Sequence, residues 1–118
     1  LASAHHLDNL LAIFDHNKMQ GLGATDQILP LAPLADKWRA FGWRVLELDG
    51  HDHAQIRASL EAAVTSSQGR PTLLIAHTIK GKGVSFMEHQ LFWHYHSPDD
   101  RELEAALREL DAHPEGVA

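Results

Sequence analysis

The sequence contains no cysteine. That excludes a disulfide framework and thiolate chemistry, and it fits a cytoplasmic protein. No apolar run approaches the roughly 20 residues that a membrane helix needs. No basic-then-apolar signal segment opens the chain, so a membrane is not an expected partner. Positive charge is scarce: 10 Lys and Arg stand against 16 Asp and Glu, for a net charge of −6. Nucleic-acid binding calls for clustered cations, so nucleic acid is not an expected partner either. Internal repeats and low-complexity tracts are absent as well. What remains is a folded globular composition, 44% hydrophobic and 22% charged over 118 residues. That length is one domain or a large piece of one, and it can bury a modest core.

The apolar residues fall into short blocks. Ala2 to Asp8 read as the tail of a helix, with Asn9 near its end. Leu10–Phe14 is an unbroken apolar run, the pattern of a strand covered on both faces in a parallel sheet. A polar, glycine-bearing stretch follows from Asp15 to Thr25. Pro30 and Pro33 punctuate the entry to a short helix in which Leu34, Trp38 and Phe41 share a face and Gly42 is the stop. Trp43–Leu48 reads as a second strand. Asp49-Gly50-His51-Asp52 is a turn whose last residue caps a helix bearing Ile56, Leu60, Ala63 and Val64 on one face. That helix ends somewhere in Ser66 to Arg70, where Gly69 and Pro71 break the pattern. Thr72–Ala76 is a third strand. A Gly- and His-bearing loop leads to a last helix that starts at Ser97-Pro98-Asp99-Asp100, with Leu103, Ala106, Leu107 and Leu110 as its buried stripe. Strands alternating with amphipathic helices predict an α/β fold, a parallel sheet with helices on both faces.

Ligands of open parallel sheets bind at the carboxyl ends of the strands. Three segments belong there: Asp15 to Gln20, Asp49 to Asp52, and His77 to Gly83. Taken singly each has an ordinary reading. Asn17 is a common turn residue, Asp49-Gly50 is more often a turn than a site, and a lone Gly81-x-Gly83 is weak evidence for phosphate binding. The 10 histidines invite zinc, but His5-His6, His51-x-His53 and His94-x-His96 lack the usual ligand spacing. Trp38, Trp43 and Trp93 read as packing residues.

Order and spacing together say more. His6-Leu7-Asp8-Asn9-Leu10, followed by Ala12-Ile13-Phe14-Asp15-His16-Asn17-Lys18-Met19-Gln20, resembles the stretch of transketolases that ends their thiamine-diphosphate motif. Leu34-Ala35-Asp36-Lys37-Trp38, Phe41-Gly42-Trp43 and Asp49-Gly50-His51-Asp52 resemble what comes next in that family. Lys80-Gly81-Lys82-Gly83-Val84-Ser85-Phe86-Met87-Glu88, with Trp93-His94 after it, continues the likeness, which runs from about Ala4 to about Leu110.

The resemblance implies a thiamine-diphosphate-binding fold, with this chain as the C-terminal part of the diphosphate-binding domain over residues 1–118. It implies thiamine diphosphate and Mg²⁺ or Ca²⁺ as cofactors. Asn17 matches the asparagine whose side-chain oxygen binds the metal, and Met19 the position whose backbone carbonyl binds it, as hard cations require. Gly81 and Gly83 match a loop close to the diphosphate. His94 matches a histidine between diphosphate and sugar, where an imidazole can hold or pass a proton. His96 is a second, weaker candidate. The implied reaction moves a two-carbon ketol unit from a ketose to an aldose; a 1-deoxyxylulose-5-phosphate synthase-like enzyme and a non-catalytic interaction domain are the alternatives.

The family's motif opens with Gly-Asp-Gly further upstream than Leu1, so its aspartate ligand is expected on preceding polypeptide. A pyrimidine-binding domain or subunit is the expected partner, in a homodimer or a split-subunit heterotetramer acting on sugars or sugar phosphates. After Trp-His the family usually continues Gly-Lys-Ala-Pro. Here the residues are Tyr95-His96-Ser97-Pro98.

Overall fold

A computed structural model describes residues 1–66 and 68–112. Two compact units emerge. The first combines Leu1–His16 with Leu31–His77, and the second combines Asn17–Pro30 with the described residues from Thr78 onward.

In the first unit, strands β1 (Leu11–His16), β4 (Arg44–Asp49) and β5 (Thr72–His77) form one sheet in the order β1-β5-β4. Both pairings are parallel, as the apolar pattern predicts. The last strand in sequence takes the centre because it is apolar on both faces: Thr72, Leu73, Leu74 and Ile75 are all buried. Each strand runs to the final pairs, in which His77 lies opposite His16 on one side and Asp49 on the other. Backbone pairing thus carries β1 past Phe14, through two polar residues that break its apolar run.

Helices α2 (Leu34–Ala40) and α3 (His53–Thr65) pack on this sheet. Arg44 donates to the carbonyls of Ala62 and Ser66 at 2.8 and 2.9 Å, whereas Glu47 lies 3.8 Å from Arg39 of α2. Residues 44 and 47 of one strand point to opposite faces. The two helices therefore cover opposite faces, as expected.

Two details of this unit depart from the sequence reading. Ile13, Phe41 and Val64 are 64, 74 and 80% exposed. Periodicity identifies which residues share a face, but here none of the described residues covers those positions. Ala2–His6 forms turns rather than a helix. Even so, it ends as a helix does: His6 is left-handed (φ 51°), its N–H donates to Ser3, and Leu7 N–H donates to Ala2 at 3.1 Å. The same pair of bonds closes α2, with Gly42 at φ 83° and bonds Gly42→Arg39 and Trp43→Trp38 of 2.9 and 3.2 Å. Trp43 then meets Trp38 edge-on at 5.0 Å.

The second unit holds the short hairpin β2 (Met19–Gln20) and β3 (Gly23–Ala24), the single turn of helix α1 (Thr25–Ile28), a 3₁₀ turn over Leu91–His94, and helix α4 (Asp100–Ala112). The N-cap of α4 is Asp99, not Ser97. Asp99 accepts from the N–H groups of Arg101 and Glu102, and Glu102 accepts from Asp99 N–H at 2.8 Å, a reciprocal capping box. Ala106 is buried, whereas Leu103 and Leu107 are about half exposed.

Asp52 caps α3, as expected, by accepting Gln55 N–H at 3.0 Å. That backbone bond, then the Gln55 side-chain bond, hold its carboxyl below the ordinary value of 3.8. A carboxylate whose pKa is depressed by folding stabilises above its unfolded pKa and loses that effect as the pH falls through the folded one. Asp52→Ala should lower the thermal midpoint at neutral pH. The gap to the parent protein should close as the pH drops below the ordinary carboxylate range. Unfolding curves across a pH series check both.

Candidate functional site

The carboxyl edge of the sheet ends in a row of polar side chains. His16, His77 and Asp49 occupy one register. The two imidazoles lie 5.3 Å apart, and His77 Nε2 is 3.1 Å from Glu47 Oε2. Sequence reading flagged the segments but not this adjacency, which depends on strand order. The Asp49–Asp52 segment behaves as a turn: Asp49 Oδ1 accepts His51 N–H at 2.9 Å, and Gly50 N–H donates to the His77 carbonyl at 2.8 Å.

In the second unit the chain continues from His16 into Asn17. Asn17 Oδ1 accepts the N–H of Met19 at 2.9 Å, the side-chain-to-backbone turn that asparagine favours. Lys18 between them takes a left-handed conformation, φ 67°, and its carbonyl accepts Thr25 N–H at 2.8 Å. Met19 pairs with Ala24 and Gln20 with Gly23. The turn fixes both the Asn17 oxygen and the Met19 peptide. Next to them, the Gln20 amide nitrogen is buried without a hydrogen-bond partner among the described residues. An orphaned buried donor is costly, and an anionic ligand would satisfy it. Neutral oxygen donors suit a hard divalent cation, and an unused N–H suits an anion such as a diphosphate. Among the described residues no group of three or more His, Asp or Glu side chains is arranged to hold a metal.

His94 comes close to this hairpin. It ends the 3₁₀ turn, is exposed, and a Cβ placed on Gly21 would lie 3.4 Å from its Cε1. His96 is engaged elsewhere: it stacks on Phe92 at 4.4 Å and its Nε2 lies 3.1 Å from Glu102 of the α4 cap.

Gly81 and Gly83 are both left-handed, at φ 77° and 91°. Their near neighbours belong to their own loop and to α4. A Cβ on Gly81 would fall 2.5 Å from the Met87 carbonyl oxygen, and one on Gly83 3.0 Å from Leu110. Gly83 N–H donates to Glu88 Oε1 at 3.1 Å, and Lys82 Nζ is 3.8 Å from the same carboxylate. Ser85 ties the loop to α4, its hydroxyl donating to Glu109 at 2.8 Å. The hairpin and His94 thus come together, while the glycine loop is folded on itself. Sequence reading noted Tyr95 as a departure without a role. In the structure its hydroxyl donates to the carbonyl of Gly21.

A family model described as transketolase, thiamine diphosphate binding domain, matches residues 1–116. The chain is 46% identical over 110 residues to a 6-deoxy-6-sulfo-D-fructose transketolase subunit of Clostridium sp. (strain MSTE9), covering 93% of this chain and 40% of that protein. It is 42% identical over 106 residues to an apulose-4-phosphate transketolase subunit of Phocaeicola vulgatus, covering 90% and 37%. The fold is similar to that of transketolase from Campylobacter jejuni, with a TM-score of 0.73 at 24% identity over 98% of this chain and 22% of that one. The chain spans about two fifths of the length of these curated relatives. Among the described residues no helix is long and apolar enough to cross a membrane.

Gly81 is the glycine whose replacement the loop tolerates least. An added Cβ would meet backbone atoms of Met87 and would sit on a left-handed residue. Gly81→Ala should destabilise the protein by about 1–3 kcal/mol, whereas alanine at Gly69, which has open space around it, should cost about 1 kcal/mol, the conformational cost alone. Denaturant titration of the two variants makes the comparison.

Proposed function

The chain belongs to the transketolase family, in its thiamine-diphosphate-binding domain, and from that premise we propose that it forms the C-terminal part of the diphosphate-binding domain of a transketolase. The enzyme transfers a two-carbon ketol unit from a ketose to an aldose. The observation that carries this reading is the Asn17–Met19 turn, which fixes a side-chain oxygen and a peptide; the residue after it, Gln20, has an orphaned buried amide.

Thiamine diphosphate, when bound, supplies the carbanion chemistry; the protein binds and orients. Asn17 Oδ1 and the Met19 carbonyl hold a divalent cation, Mg²⁺ or Ca²⁺, through oxygen. The backbone at Gly81 and Gly83 borders the diphosphate. His94, exposed and adjacent to the hairpin, holds or passes a proton on the sugar side.

Further polypeptide completes the enzyme. Preceding sequence supplies an aspartate ligand, and a pyrimidine-binding domain or subunit supplies the rest of the cofactor site. Three observations support this: two relatives are named as subunits, the chain spans about two fifths of their length, and Ile13 and Val64 leave apolar surface uncovered. The substrates are sugars or sugar phosphates; the sugars named for the relatives carry a sulfo group or a phosphate. The relatives' names and the His6-Leu7-Asp8-Asn9-Leu10 block favour ketol transfer over deoxyxylulose-phosphate synthesis. The assembly is a homodimer of long chains or a heterotetramer of split subunits.

Two variants of the complete enzyme test the assignment. Asn17→Ala should weaken Mg²⁺-dependent binding of thiamine diphosphate by about 10-fold or more, the cost of losing a charge-assisted contact, with the fold intact. Unchanged affinity refutes the metal assignment. His94→Ala should lower kcat by about 100-fold while cofactor affinity changes little. Full turnover in that variant would make His94 a surface residue.

A further inference from the structure

The metal hairpin and the histidine turn are joined by a contact between residues 74 positions apart in sequence: the phenol hydroxyl of Tyr95 donates to the carbonyl of Gly21. Gly21 lies in the turn between β2 and β3, two residues after Met19. Tyr95 follows His94 directly, and the two rings are 4.9 Å apart. Gly21 is not a left-handed residue, so its backbone gives no reason for a glycine there. Space gives one: an added Cβ would lie 2.5 Å from the Tyr95 hydroxyl oxygen and 3.4 Å from the ring carbon that bears it. The hairpin therefore accommodates the phenol hydroxyl by having no side chain at that point.

The turn that presents Tyr95 is itself fixed. Its N–H and that of His96 both donate to the Phe92 carbonyl at 3.1 Å. Trp93 Nε1 donates to the Phe86 carbonyl at 2.9 Å. His96 stacks on Phe92 and meets Glu102, which closes the α4 cap. A rigid turn on one side and a short two-stranded hairpin on the other leave the hairpin as the element the bond orients.

We propose that Tyr95 is a positioning residue: by holding the Gly21 carbonyl it sets the hairpin, and with it the Met19 peptide, relative to His94. This rests on the reading of Asn17 and Met19 as metal ligands. It gives a role to the residue at which this chain departs from the glycine usual after Trp-His. Tyr95 touches neither cofactor nor sugar and acts through Gly21.

The test is a double-mutant cycle in the complete enzyme, read by titration of thiamine diphosphate at several Mg²⁺ concentrations, with thermal midpoint and kcat alongside. Tyr95→Phe keeps the ring and removes the hydroxyl. It should weaken Mg²⁺-dependent cofactor binding about threefold to 10-fold, the range of one hydrogen bond, at an unchanged thermal midpoint. Gly21→Ala should weaken it at least as much in the parent protein. In the Tyr95→Phe background it should cost markedly less, because the hydroxyl it displaces is gone and the remaining ring carbon is at ordinary contact distance. Parent-like cofactor binding in Tyr95→Phe overturns the proposal, and so do two substitutions whose effects simply add. Asn17→Ala separates the two levels. If it weakens binding while Tyr95→Phe does not, the role of Tyr95 alone fails; if it too binds normally, the metal assignment fails and the role of Tyr95 with it.

Discussion

The parallel pairing of β1 with β5 is the interaction on which the other features depend. Its final pair joins His16 to His77. The next residue on one strand is Asn17 and on the other Thr78, and these begin the two stretches that make up the second unit. Every candidate ligand and catalytic group follows one of those two strand ends. A slip of one residue in this register would turn every side chain of β1 to the opposite face of the sheet. Thr72 through Ile75 of the central strand are buried, so a break in pairing there would leave backbone groups without water as a substitute partner.

Much of this was legible in the sequence. The strands announced themselves as apolar runs, the helices as periodic faces, and Asp52 as a cap. Several blocks in the right order pointed to the family. What escaped reading has physical causes. The β2–β3 hairpin has two-residue strands inside a polar stretch, too short for any alternation to register. At α4 two start signals competed. Ser97-Pro98 looked right, but Asp99 with Glu102 could satisfy each other's backbone donors and took the cap. Ile13, Phe41 and Val64 carry the residue type of a core without the cover. The approach of His16 to His77 and of Tyr95 to Gly21 is set by tertiary arrangement, which no local pattern encodes.

The glycines illustrate how a motif and a packing constraint can coincide. Gly81 and Gly83 stand where a phosphate loop would have them, yet the atoms that exclude a side chain there belong to Met87 and Leu110. The loop is shaped by its own chain: by the carbonyl of Met87, the carboxylate of Glu88 and the fork of Glu109 onto Ser85. The conformation of the loop is thus accounted for by contacts within the chain. At Gly21 the excluding atom is instead a hydroxyl of the histidine turn, so the same residue type serves a different purpose a few residues from Asn17.

The second unit is discontinuous in sequence, and this governs when it can form. Asn17–Pro30 pairs with itself only in the short β2–β3 hairpin; the rest of its unit begins at Thr78. Contacts of such separation form late, since the intervening chain must first be ordered. During synthesis, at about 5–20 residues per second, the hairpin waits some seconds for β5 and the histidine turn to emerge. The docking of β5 beside β1 then shortens the loop to be closed by bringing His77 next to His16. Folding thus proceeds from the sheet to the discontinuous unit, and mutations that slow β5 docking would delay the β2–β3 hairpin and the histidine turn without altering a residue of either.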